Sequence, residues 1–235
     1  FQGSRGLGDV YKRQGYTIVS GAGTDTLKGD DGNDTFTISA AGEGNNDTID
    51  GDAHTGGSGD TIELSTGSHT FSTDNKILNI ETIATHTSGS TVILTGQTEN
   101  FTITGNSGAD IITGGNAVDT VNAGNGNDSI TGGAGNDIIT GGSGNDTFNV
   151  NLGTDTITDL STGDDLIVSS GATATATNIA SFVADSDTLN SGTANLTARA
   201  AGGIIKVNTA GSGTYNIISG AGTDTLWGGS GNDTF

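Results

Sequence analysis

The sequence predicts an all-β solenoid, and three observations carry that prediction. First, Asp and a large apolar residue recur together every nine residues across 105–149. Second, Gly makes up 42 of the 235 residues while Pro, Cys and Met are absent. Third, apolar content is 31% and aromatic content 5%, too little to fill a wide core but enough for a thin one. Such numbers without periodicity would read as disorder. A fixed short period reads instead as stacked structural repeats.

Taken in chain order, residues 1–15 (FQGSRGLGDVYKRQG) match no repeat and hold Arg5, Lys12 and Arg13, three of the seven basic residues. Phe1-Gln2-Gly3-Ser4 resembles a protease-cleavage scar, and RGLGDVYKRQ resembles translated adapter text at the ends of metagenomic reading frames. They are set aside as a tag and read-end artefact.

Residues 16–36 (YTIVSGAGTDTLKGDDGNDTF) form an opening repeat segment, and 215–235 (YNIISGAGTDTLWGGSGNDTF) match it at 16 of 21 positions, at an offset of 199. The chain therefore reads as one long unit of a tandem array plus the start of the next. With no Met, it reads as the interior of a longer protein. Residues 37–104 hold a degenerate unit, GGSGDTIEL at 56–64, and alternating stretches such as TVILT and NFTIT that read as strands. Within 170–214, rich in Thr, Ala and Ser, NIASFVAD at 178–185 predicts a short helix within 175–190 and GGIIKVN a strand.

The core is 105–169. Its five clear units are GNSGADIIT, GGNAVDTVN, AGNGNDSIT, GGAGNDIIT and GGSGNDTFN. Asp110, Asp119, Asp128, Asp137 and Asp146 take the sixth place, and Ile112, Val121, Ile130, Ile139 and Phe148 the eighth. Two weaker units continue in frame through Asp155 with Ile157 and Asp164 with Leu166.

Charge narrows the function. The net charge is −20, and only Glu43, Glu63, Glu81 and Glu99 of the 27 acids are Glu. Such a charge opposes compaction unless counter-ions bind, and it excludes nucleic acid and anionic membranes as partners. No apolar run reaches the roughly 20 residues of a transmembrane helix, and no Cys is present to form a disulfide.

Asp beside Gly and Asn points to turns that gather oxygen ligands. The first six residues of a unit predict a tight turn and the last three a short strand. Glycines there adopt φ > 0 and let carbonyls approach one centre. Carboxylates and carbonyls suit Ca²⁺, which takes 6–8 hard oxygens in a tolerant geometry. Zn²⁺ would ask for His or Cys. Each turn offers half a site, and stacking completes it, so calcium binding becomes folding energy. The consecutive middle units predict several ions, about four to six.

The motif GGxGxDxUx, with U apolar, is matched fully by 132–149 and with Gly substitutions by 105–131. It resembles the RTX (repeat-in-toxin) calcium-binding nonapeptide family, and 157–169 (ITDLSTGDDLIVS) looks like the segment that closes the roll in RTX proteases and lipases. The resemblance implies a parallel β-roll with two nonapeptides per turn and calcium along both rims. It carries ligand roles to Asp110, Asp119, Asp128, Asp137, Asp146, Asp155 and Asp164. Asp25, Asp34, Asp60, Asp224 and Asp233 stand at matching places in the outer segments. Loop ligands fall at Gly124, Gly126, Asn127, Gly133, Gly135, Asn136, Gly142, Gly144 and Asn145. Ala117 and Val118 depart from the pattern next to Asp119.

His54, His69 and His86 sit in polar contexts without a nucleophile or carboxylate at a suggestive spacing, and they read as surface residues. Trp227 replaces Lys28 of the paired segment and reads as exposed. Asn127, Asn136 and Asn145 align as in ice-binding solenoids, but the position two before holds Asn125, Ala134 and Ser143 where a flat array wants Thr.

These readings predict no enzyme. They predict a calcium-folded structural segment of a secreted bacterial cell-surface protein, an adhesin or surface-layer type. Other copies of itself or surface polysaccharide are the expected partners. The alternatives are the secretion module of a type I-exported enzyme and an ice-binding solenoid.

Overall fold

The computed structural model describes residues 15–20, 23–39, 41, 47–52, 59–207, 212–229 and 231–235. These form 24 strands, β1 to β24 in chain order, and every strand pairing is parallel. The sole helical element among them is a 3₁₀ turn at Asp74–Lys76. The chain is an all-β parallel solenoid, as the repeat period implied.

One wall runs the length of the solenoid as an 11-stranded sheet. It comprises β1 (Thr17–Val19), β3 (Thr35–Ile38), β5 (Thr61–Leu64), β8 (Thr82–Ala84), β10 (Thr102–Ser107), β12 (Thr120–Asn125), β14 (Ile138–Ser143), β16 (Thr154–Ile157), β18 (Thr173–Ile179), β21 (Thr193–Ala198) and β23 (Thr214–Ile218). The opposite wall is divided in three. Strands β2 (Thr26–Lys28), β4 (Thr48–Asp50) and β7 (Ile77–Leu78) form the first part. The middle part has seven: β6 (Gly67–Thr70), β9 (Ser90–Ile93), β11 (Ile111–Thr113), β13 (Ser129–Thr131), β15 (Thr147–Val150), β17 (Asp165–Val168) and β20 (Leu189–Asn190). Strands β19 (Ser181–Val183), β22 (Ile204–Lys206) and β24 (Thr225–Trp227) form the last.

Register follows the nonapeptide. Two units make one turn, so Thr102 pairs with Thr120, Thr120 with Ile138, and Ile111 with Ser129, each two units apart in the chain. Strands β11 and β13 are the three-residue strands expected of the last places in a unit. Strands β10, β12 and β14 run on for six residues into the next unit. Outside the repeats the turns are wider: Thr35 pairs with Thr61 and Thr193 with Thr214.

Alternation along each strand puts one side chain inward and the next outward. In the two-unit turns Ile112, Val121, Ile130, Ile139 and Phe148 are fully buried and face each other between the walls. The wider turns need larger fillers, and Phe36, Phe71, Phe101, Phe182 and Tyr215 supply them. Where the wide turn at 61–80 gives way to a narrower one, buried Gln97 donates through Nε2 to the carbonyls of Phe71 and Thr73, each at 2.9 Å.

Two expectations are corrected. The helix predicted within 175–190 is strand: β18 ends there, and β19 and β20 follow. Phe182 and Ala184 are buried while Val183 is exposed, a period of two, and the main chain pairs with Ile204–Lys206. Lateral pairing with a neighbouring turn outweighs the local helical tendency of Ala. His69 is not a surface residue. It is fully buried in β6, and Nε2 lies 3.0 Å from the Ser65 carbonyl, to which it donates. Burial lowers its pKa, which keeps the ring neutral. His86 is exposed, as is Trp227 at 53%, while His54 lies outside the described residues.

Candidate metal centre: two carboxylate ladders

Each nonapeptide unit places an Asp at its strand, just before it in every unit except the one at Asp155, which lies within β16, and the solenoid stacks these residues into columns. On the rim of the long wall, Phe101 N–H donates to Oδ1 of Asp119 at 2.8 Å. Asp119 N–H then donates to Asp137 at 2.8 Å, and Asp137 N–H to Asp155 at 3.1 Å. On the opposite rim the column runs Ser90, Asp110, Asp128, Asp146, Asp164, with N···Oδ1 distances of 2.7, 2.8, 2.9 and 3.0 Å. One carboxylate oxygen of each Asp thus ties its turn to the turn before.

The other oxygen is the chemically telling one. Oδ2 of Asp110, Asp128, Asp137 and Asp155 is buried with no hydrogen-bond partner. Asp119 and Asp164 differ, because Gly115 N–H reaches Oδ2 of Asp119 at 2.8 Å and Ser161 N–H reaches Oδ2 of Asp164 at 2.8 Å. A buried carboxylate oxygen without a donor costs several kcal/mol unless a cation approaches it.

Electrostatics agree. Burial raises the carboxyl pKa of Asp110, Asp137 and Asp146, partly offset by the backbone N–H each accepts. Burial pushes Asp119 and Asp128 up to about 6, with neighbouring Asp137 on one and Asp146 and Asp110 on the other adding repulsion. Asp155 is pushed up to about 7 by burial, with repulsion from Asp137 added. The columns therefore stack desolvated like charges. Among the described residues the ion pairs, Lys28 with Asp50 at 3.0 Å and with Asp52 at 3.4 Å, lie away from both columns.

The turns provide room for a cation and further oxygens. A Cβ on Gly114 would meet Oδ2 of Asp119 at 2.6 Å and also the Gly132 carbonyl; one on Gly132 would meet Oδ2 of Asp137, and one on Gly141 Oδ2 of Asp146. Carboxylate and carbonyl oxygens thus converge on space that glycine leaves open. The donor set is wholly hard oxygen, which fits Ca²⁺. Asp110, Asp128, Asp137 and Asp155, with turn carbonyls, are the residues that would hold it. Bound calcium would supply positive charge to the columns.

The other candidate positions fall as follows. Gly124, Gly133 and Gly142 take φ of +102°, +108° and +104°, and Gly126, Gly135 and Gly144 take +147°, +135° and +140°. Each lies over the carbonyl at the same place in the turn before. Asn127 and Asn136 are exposed, and their Oδ1 atoms accept N–H groups of Asn145 and Thr154 at 2.9 Å. These side chains link turns forward as Asp links them back. Asn145 is exposed beside Gly163.

Near the ends Tyr16 N–H donates to Asp34 and Asp34 N–H to Asp60, at 2.7 and 2.6 Å. Gly203 N–H donates to Asp224 at 2.7 Å and Tyr215 N–H to Asp233 at 3.3 Å. Asp25 is half-buried, and its own N–H donates to Asp47 at 2.9 Å.

Sequence reading missed two ladder members, Asp47 and Glu81. Glu81 accepts the Asp60 N–H at 2.7 Å. A signal for both was present: Asp47-Thr48-Ile49 and Glu81-Thr82-Ile83 repeat the acid-Thr-apolar triplet of Asp34-Thr35-Phe36. Also missed was the trio Asp165, Asp185 and Asp187, whose carboxylate oxygens lie within 4.8 Å of one another.

Fold and columns together define a parallel β-solenoid whose turns present oxygen ligands for calcium. The chain matches the model of the RTX calcium-binding nonapeptide repeat in four copies, at 17–37, 102–130, 122–157 and 210–235. Its repeats are thus RTX calcium-binding nonapeptide repeats, as their motif indicated. No curated protein matches the chain significantly. Among the described residues no helix is long and apolar enough to cross a membrane.

Proposed function

We propose that the chain is a calcium-stiffened structural segment of a secreted bacterial surface protein, of adhesin or surface-layer type, with no catalysis of its own. The observation that supports this most directly is the pair of columns with buried, donorless Oδ2 atoms. They make folding depend on a cation, which suits a chain kept unfolded where calcium is scarce and folded after export. Its partners on this reading are calcium, further copies of the unit and surface polysaccharide. The alternative reading, a secretion module of a type I-exported enzyme, shares the calcium switch and differs in what flanks the segment. Far-ultraviolet circular dichroism and thermal melting with calcium and with EDTA test the switch. The expected result is loss of β signal or a large fall in Tm in EDTA; an unchanged melt would sink it.

A second reading, ice binding, draws on the outer face of the long wall. Thr17, Thr35, Thr61, Thr82, Thr102 and Thr120 stand side by side on successive strands there. Strand spacing sets this rank at about 4.8 Å. Thermal hysteresis in calcium would support it, and growth of ice unaffected by the protein would dismiss it.

A further inference from the structure

We infer that the long tandem unit propagates as one uninterrupted solenoid, in which the opening turn of each copy closes the core and ladder of the copy before it. This continuity rests on the structural reading proposed above and concerns how a chain carrying the unit twice is joined.

The junction between one unit and the next is present in this chain. The described residues of 215–235 stack directly on the preceding turns: Ala194 pairs with Tyr215 and Leu196 with Ile217 in the long wall. Ile204 pairs with Thr225 and Lys206 with Trp227 in the opposite wall. They also repeat the pairings of their described counterparts in the opening segment. Asn216 pairs with Thr234 as Thr17 pairs with Thr35, and Tyr215 donates to Asp233 as Tyr16 donates to Asp34.

Equivalent residues differ only in what is stacked against them. Tyr215, with turns before it, is 1% exposed; its counterpart Tyr16 is 39% exposed. Phe36, with a turn after it, is fully buried; its counterpart Phe235 is 68% exposed. Tyr16 and Phe235 are thus exposed at positions that Tyr215 and Phe36 show to be core once turns are stacked on both sides. In a chain that carries a second copy, the stretch equivalent to 37 onward would cover Phe235 as the turn after Phe36 covers Phe36.

The wall topology shows how phase is kept. Strand β24 is the counterpart of β2 in the second copy, so the sheet β19-β22-β24 continues through the counterparts of β4 and β7. The first and last short sheets are then two parts of one five-stranded sheet that spans each junction. Two three-sided turns hand the chain between walls, and in both the strand of the new wall comes first: β6 before β7, and β19 before β20. The handover has the same sense at both places, so copies follow one another without reversing it. Ten strand steps of the long wall separate β1 from its counterpart β23.

The test is the full chain extended after Phe235 by a second copy of residues 37–235, imaged by negative-stain electron microscopy in calcium. Single straight rods, longer than those of the parent chain by ten strand steps or roughly 48 Å, are expected. Two bodies joined at variable angles would overturn the inference. Amide hydrogen exchange on the parent chain gives an independent reading should the extension fold poorly. Protection of β23 and β24 equal to that of β21 and β22 is expected, and exchange of 214–227 at unfolded-chain rates would overturn it. Circular dichroism with EDTA on the parent chain separates the two ideas: β structure indifferent to chelation removes the calcium role, while rod length and exchange still decide continuity.

Discussion

Asp119 donates its backbone N–H to Oδ1 of Asp137 across 2.8 Å, one full turn of the solenoid away. The same Asp137 carboxylate keeps its second oxygen buried and without a donor. One side chain thereby serves both as a tie between turns and as a demand for positive charge.

Asp137→Asn keeps an oxygen for the Asp119 N–H and removes the charge. In calcium, the variant should bind at least tenfold more weakly at that site, or lose one ion, by isothermal titration calorimetry. In EDTA the same change should raise Tm, because a desolvated like charge has gone. A variant that behaves as the parent in both solutions would remove Asp137 from the ligand set.

The pH dependence in EDTA has a definite sign. Folded-state values for Asp119 and Asp128 of about 6, and for Asp155 of about 7, exceed the ordinary 3.8. A raised folded value means the protonated group favours the folded state. That stability is fully present below about pH 4 and is lost as pH rises through 6 to 7. Without calcium, Tm should therefore fall between pH 4 and pH 8. With calcium the trend should invert, since protons compete for the ligands. Melts across this range in both solutions check it.

Ile139 is fully buried between the walls and pairs with Val121 on one side and Ile157 on the other. Ile139→Ala should cost about 2–5 kcal/mol, the usual range for such a truncation. Urea unfolding in saturating calcium measures it. An exposed position such as Ile138, 45% exposed on the same strand, should cost far less when changed to Ala.

Gly144 and Gly171 separate backbone conformation from crowding. Both have positive φ, +140° and +87°, but a Cβ on Gly144 would strike the Gly126 carbonyl, whereas Gly171 faces open space. Gly171→Ala should cost only about 1–2 kcal/mol of conformational strain. Gly144→Ala should cost more and should also weaken calcium binding, because the Gly126 carbonyl must move. Paired melts and calcium titrations of the two variants decide it.

Much of this molecule was legible in order along the chain. The nine-residue register of Asp and an apolar residue determined the solenoid, the inward rows and the rim positions of the carboxylates. It did so because stacking turns of equal length leaves each repeat position one environment. The acid-Thr-apolar triplet held the places of Asp47 and Glu81 as well, once a strand was known to follow each.

Tertiary structure decided what local pattern leaves open. Residues 181–183 hold no periodic signal, and only the neighbouring strand at 204–206 makes them a strand. His69 is core because β9 and the Ser65 carbonyl surround it, which no spacing around a single His reveals. The split of the second wall, and which carboxylate oxygens stay without donors, depend on turns distant along the chain meeting in space. Sequence determined the chemistry of each turn; stacking alone determined which carboxylates are buried together, and hence where the solenoid calls for positive charge.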